Sequence, residues 1–257
     1  MRLKMVNMEK AQKEFLNYSS KFSTQNSTIQ MKIGHSIRVM KISKKLADEL
    51  KLNEEETELA TLIGLLHDIG RFEQYTEHKT YQDHKSINHG KLGVEILEKN
   101  QYIRKYIETP IYDEIIKKAI LNHNGYQLPK DLNQKEKLFC QIIKDSDKID
   151  ILYEGNKIFW IGREEMIAEA SITKEVMQQF LEGKLVKNEV KNTQIDHLIG
   201  MISYIYDIYF KETFKYIKEN NYIEGMIDRF DFKQKKTKED IEKIRKIAGE
   251  FIEQKIK

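Results

Sequence analysis

Apolar residues recur along this chain at spacings of three and four, the period of helices that bury one face. The pattern predicts helices over 5–18, 29–51, 55–68, 86–99, 111–123, 135–153, 162–170, 173–182, 194–219 and 237–256. No run alternates apolar and polar residues in the Val- and Thr-rich manner of a half-buried strand, so the fold class is all-α. Asn53 followed by Glu54, Glu55 and Glu56 reads as an N-cap with acidic residues on the positive end of the helix dipole. Pro110 falls at or just before the start of the 111–123 helix, where its missing N–H costs little. Pro129, in Leu128-Pro129-Lys130-Asp131, breaks the chain before the next helix. The polar stretch 72–86 reads as a loop and a candidate lid, and the basic run Lys233 to Lys238 as a solvated loop. There is no internal repeat, low-complexity tract or Gly/Ser linker. The expectation is one domain over 1–257, with a division near 155–160 as the alternative.

Composition narrows the function classes. The 257 residues hold 44 Lys and Arg against 41 Asp and Glu, a net charge of +3, with 40% apolar residues. That balance is of a folded globular chain, not a disordered one. Near-cancellation of charge argues against a partner that presents many phosphates, so no extended nucleic acid is expected. Cys140 is the single cysteine, which excludes an internal disulfide and a cysteine-based zinc site; its apolar neighbours in LFCQII read it as core. No stretch reaches the roughly 18 apolar residues of a membrane helix, and charges interrupt the first fifteen residues too early for a signal peptide. A cytoplasmic protein without a membrane partner is expected, and assembly as a homo-oligomer is compatible with the pattern.

The histidines carry the chemistry. On the 29–51 helix His35 shares a stripe with Met31, Val39, Ile42 and Leu46. The 55–68 helix is apolar nearly all round (LATLIGLL), hence buried, and ends in His67-Asp68; Gly70 is placed to act as its left-handed C-cap. His89 shares a face with Gly93 and Ile96, His123 with Ile116 and Ile120, and Asp147 with Phe139 and Ile143. One histidine on an apolar stripe is ordinarily a satisfied core residue. Buried aspartates, however, are costly unless paired or metal-bound. Four inward histidines with two inward aspartates are resolved together by a cation at their meeting point. Imidazole and carboxylate without thiolate suit an octahedral divalent ion of Mn, Fe, Co, Ni or Mg better than structural zinc.

His35, then LLHDIGR with His67-Asp68, then Asp147 in IIKDSDKIDIL, resembles the HD superfamily of metal-dependent phosphohydrolases over about residues 25–155. The resemblance implies an HD-domain helical bundle with additional C-terminal helices, about 156–257. It implies that His35, His67, Asp68 and Asp147 bind one metal, and that Asp68 serves catalysis. His89 in SINHGKLGVEIL and His123 in LNHNGYQLP fall where many members place histidines for a second metal or for the substrate phosphate. Both arrangements fit.

Departures bear on the substrate. Ile69-Gly70-Arg71-Phe72 follows the HD pair, in place of the Glu-Asp of alarmone hydrolases. Arg71 stands where small deoxynucleoside monophosphatases carry Glu. Asn124-Gly125-Tyr126 only faintly resembles the cyclic-di-GMP phosphodiesterase signature, whose full motif is absent. Arg71, where many relatives carry lysine, is expected to be catalytic, clamping a phosphate and balancing developing charge; the alternative is a cation at a helix C-terminus. Lys148 is expected to face solvent, Asp150 to support a ligand one turn from Asp147, His197 to be structural, and His78, Asp83 and His84 to be loop residues. The reading is a phosphohydrolase for a small phosphorylated, nucleotide-like substrate; the alternative is a catalytically idle metal- or nucleotide-binding regulatory module.

Overall fold

The computed structural model describes residues 6–22, 25–157 and 159–257. The first residue of the expected 5–18 helix, and part of the 155–160 division, lie outside them. Helices α1 (Met8–Ser19), α2 (Ser27–Glu49), α3 (Glu54–Leu66), α4 (Gly70–His78), α5 (His89–Glu98), α6 (Asp113–Asn122) and α7 (Gln134–Lys157) come first. They are followed by α8 (Glu164–Glu169), α9 (Lys174–Leu181), α10 (Gln194–Ile202), α11 (Lys211–Glu219), α12 (Tyr222–Ile227) and α13 (Lys235–Ile256). No strand occurs among the described residues, and the all-α class holds.

The chain divides into two compact units, Met1–Asp147 and Lys148–Lys257, so the division falls inside α7, earlier than 155–160. In the first unit α2 packs along α3, α4 against α5, and α5 against α6. Glycines set the closest approaches. A Cβ on Gly64 would lie 2.6 Å from Ser43 Oγ and 3.0 Å from Met40 Cα. Only a bare backbone lets α3 lie this close to α2, which brings His67 beside His35. Asn53 caps α3 as expected, accepting from Glu56 N–H at 2.9 Å, with Glu54 to Glu56 in the first turn.

In the second unit α10 packs on α8 and α9, and α13 on α11 and α12. Its core includes Trp160, Phe180, Ile195, Leu198, Ile202, Ile244 and Ile252.

Three expectations need correction. Residues 72–86 are not one loop, because α4 occupies the stretch to His78 and Lys79 closes it in the left-handed region (φ 55°). Phe72 and Gln74 are buried on that helix, and the intervening polar positions hid the period. Gly70 is no left-handed C-cap: it opens α4, and its missing Cβ matters for packing instead. The 194–219 helix is broken into α10 and α11 by a 3-10 turn, Ser203–Asp207, and extended backbone at Ile208. Ser203, Tyr204, Ile205, Tyr206, Ile208, Tyr209 and Phe210 are β-branched, aromatic or hydroxyl residues of modest helix propensity. Tyr206 moreover stacks edge-on against Phe180 and Phe251, at 5.2 and 4.9 Å between ring centres.

Candidate metal centre

The elements of the first unit converge on one cluster. α2 supplies His35; the turn after α3 supplies His67 and Asp68; α5 opens with His89; His123 follows α6; α7 supplies Asp147. His35, His67, Asp68, His89 and His123 are buried, and Asp147 half-buried. All six residues singled out in the sequence thus meet in one place, although His67, Asp68 and His123 sit just beyond helix ends and not within helices.

Two sets of ligand atoms face each other across Asp68. In one, His35 Nε2 lies 3.2 Å from His67 Nε2 and 3.1 Å from Asp147 Oδ1, with His67 Nε2 3.6 Å from Asp147 Oδ1. Asp68 Oδ2 is 3.5 Å from His35 Nε2. In the other, His89 Nε2 is 2.9 Å from His123 Nε2, and Asp68 Oδ1 lies 3.3 and 3.6 Å from those two nitrogens. Ligands bonded at ~2.1 Å to an octahedral ion sit about 3 Å apart at adjacent corners, close to these separations.

The protonation pattern supports the same conclusion. His67 Nδ1 is 2.8 Å from the Gly64 carbonyl and His123 Nδ1 is 2.6 Å from the Ile120 carbonyl. Carbonyls only accept, so both Nδ1 atoms carry the proton and, in neutral rings, both Nε2 atoms present lone pairs. His89 Nδ1 meets the Asp83 carboxylate at 2.7 Å, which directs the His89 Nε2 lone pair toward that of His123. Two lone pairs at 2.9 Å repel each other, a repulsion that a metal ion between them turns into attraction. Burial, with Arg71 adding to it, pushes His89 down to about 3, and burial lowers His67 as well. Both rings are thereby kept neutral, the form that binds metal. Each of the triads His35–His67–Asp147 and His67–Asp68–His123 brings its ligand atoms within 4.8 Å of one another, so the donor set fits divalent metal.

Neighbouring groups keep the carboxylates ionised. Burial opposes the charge of Asp68, yet the cations Lys32 and Arg71 hold its carboxyl well below the usual range. Lys32 Nζ is 2.8 Å from Oδ2 and Arg71 Nε 3.3 Å from Oδ1. Burial also opposes Asp147, and its contacts with His35 and His67 keep it low.

Arg71 is drawn inward. Its Nη1 donates to Gln74 Oε1 (2.9 Å), the Tyr81 carbonyl (2.6 Å) and Asp83 Oδ1 (2.9 Å). Lys148 does not face solvent: it is buried and paired with Asp207 at 2.8 Å within the second unit. Asp150 is buried on α7; His78, His84 and His197 are exposed. Cys140 is buried, and burial pushes its thiol up to about 12. The sequence reading missed Lys32, although three residues before His35 on one helix is a same-face spacing. It undervalued Asp83, whose role depends on a loop conformation that no periodicity reveals.

Residues 33–152 match the HD domain family. That stretch carries the HD domain, and domains of this family bind divalent metals and are mostly metal-dependent hydrolases. No match was found among curated proteins or among solved structures. Among the described residues, no helix is long and apolar enough to cross a membrane.

Proposed function

We propose that this chain hydrolyses a phosphate ester bond of a small phosphorylated substrate, with a nucleotide as the substrate class. The observation that carries the reading is Asp68, which turns Oδ2 toward His35 and Oδ1 toward His89 and His123, each set of separations being of ligand size. His35, His67, Asp68 and Asp147 would hold one divalent ion; His89, His123 and Asp68 would hold a second. Such ions supply an activated water nucleophile and Lewis acidity toward a phosphoryl oxygen. The chain's own groups prepare that chemistry. Lys32 and Arg71 keep Asp68 ionised, and neutral imidazoles point their lone pairs inward. Lys32 and Arg71 also supply the positive field that draws a phosphorylated substrate in and offsets charge developing on it. The engagement of Arg71 with Asp68 and the 79–88 segment favours a role through that field, with positioning of the loop, over a bidentate clamp.

The test begins with metal analysis of the purified protein. Phosphomonoesters, cyclic nucleotides and dinucleotides are then screened with Mn, Ni, Co and Mg. We expect at least one metal and substrate pair to give turnover, and the double variant His67→Ala, Asp68→Ala to lose bound metal and turnover while its circular dichroism stays helical. Turnover unchanged in that variant would exclude the mechanism. Bound metal without turnover on any substrate would instead favour a regulatory module.

A further inference from the structure

The geometry points to Asp83 as a positioning residue that fixes the tautomer of His89, and with it the direction of one lone pair in the centre; the inference rests on the metal-centre reading above. Asp83 lies in a 3-10 turn, Asp83–Lys85, within the segment between α4 and α5. Four separate donors end on its one carboxylate. His89 Nδ1 reaches Oδ2 at 2.7 Å and Oδ1 at 2.9 Å. Arg71 Nη1 and Gln74 Nε2 each reach Oδ1 at 2.9 Å, and Asn124 Nδ2 reaches Oδ2 at 2.9 Å.

The Gln74 amide cannot turn over to relieve this arrangement. Its Nε2 also donates to Ser86 Oγ at 3.0 Å and the Ile87 carbonyl at 2.8 Å, while its Oε1 accepts from Arg71. Arginine offers only donors. A group that accepts on both oxygens is therefore demanded at position 83, and only an ionised carboxylate meets the demand. Facing such a carboxylate, His89 Nδ1 must carry its proton. Nε2 is then left as a lone pair aimed at His123 Nε2 (2.9 Å) and Asp68 Oδ1 (3.3 Å). A carboxylate behind a ligand histidine both sets the tautomer and raises the basicity of the ligand nitrogen. The same carboxylate ties α4, the start of α5 and the residue after His123 to one point. The loop thus orients the ring from outside without entering the centre.

The deciding variant is Asp83→Asn, nearly isosteric but with one acceptor replaced by a donor that must face another donor. Histidine ring 15N spectra of the metal-free protein, with His89 assigned from His89→Gln, read the tautomer directly. We expect the Nδ1–H form of His89 in the wild type and a shift toward Nε2–H in Asp83→Asn. Manganese affinity by calorimetry should fall about 10–100-fold in the variant, the usual cost of losing such a partner. An Nε2–H His89 in the wild type overturns the inference without recourse to any variant. So does a folded Asp83→Asn protein that keeps both tautomer and manganese affinity. A wild-type protein that takes up no manganese overturns the metal-centre reading, and the tautomer comparison then decides the role of Asp83 by itself.

Discussion

Gly70 shows how far one missing methyl group reaches. Its ideal Cβ would lie 2.3 Å from the His89 carbonyl oxygen and 2.7 Å from Gly93 N. Both obstacles are backbone, so no rotamer change relieves them, and α4 and α5 must separate. Overpacking of this kind costs about 1–3 kcal/mol or more. At roughly 2–4 °C per kcal/mol for a chain of this size, Gly70→Ala should lower the melting temperature by several degrees. Because the obstructing carbonyl belongs to His89, manganese affinity should fall with it. An unchanged melting temperature would show that the two helices separate without cost. The sequence reading singled out this glycine for the wrong reason. A Gly just after a helix is the usual mark of a left-handed cap, whereas the need for close approach depends on a partner helix twenty residues away. The six convergent residues were legible for the opposite reason, since a histidine or aspartate on an apolar stripe is a local anomaly visible without any partner.

Regular helices were legible where their apolar face repeats without interruption, as in α2 and α13, and illegible where tertiary contacts set the ends. α4 was lost because Arg71, Glu73, Gln74 and Glu77 spread polar groups around it, and what buries Gln74 is a hydrogen-bond set with Ser86 and Ile87, not hydrophobicity. The break after α10 was lost because neither Gly nor Pro marks it. There Ser203, buried, donates to the Gly200 carbonyl at 2.7 Å and accepts from Val186 N–H at 3.0 Å, and the aromatic run packs better outside a helix. A glycine within a regular helix has a different meaning from Gly70. Gly249 sits inside α13, and a Cβ there would meet nothing within 4 Å. Gly is worse than Ala in a helix interior by about 0.5–1 kcal/mol, through the backbone entropy of the unfolded chain. Gly249→Ala should therefore stabilise the protein by about that amount in urea titration, and a lower midpoint at unchanged slope would contradict it.

At the scale of the molecule, a net charge of +3 conceals groups held far from their usual state. In the first unit the buried charges are balanced around the centre. In the second, Lys191 is a half-buried lysine whose desolvation outweighs the attraction of its acidic neighbours. Its stem lies so close to Gly200 that a Cβ there would be 2.3 Å from Lys191 Cε, and its Nζ donates to Asn188 Oδ1 at 2.8 Å. Burial pushes its ammonium down to about 8 from an ordinary 10.5, against the opposing pull of Glu189 and Asp196. The unfolded chain therefore binds this proton more tightly than the folded one. Below pH 8 both states are protonated and the folded state carries the full penalty. Between about 8 and 10.5 the folded state releases the proton while the unfolded state keeps it, so this group's contribution to stability rises with pH. Tyr18 and Tyr106 act in the opposite direction at higher pH: burial raises both phenols above their ordinary 10, and stability falls once the unfolded tyrosines ionise. The useful window is thus pH 8 to 10. Lys191→Met keeps the apolar stem, removes the titration and should be more stable than wild type at pH 7.5. The stability difference between the two proteins should narrow steadily as pH rises to 9.5 in matched urea titrations. Comparing variant with wild type cancels the tyrosines and every other shared group. A difference that stays constant across the window would mean that Lys191 reaches water in the folded protein and keeps its ordinary proton affinity.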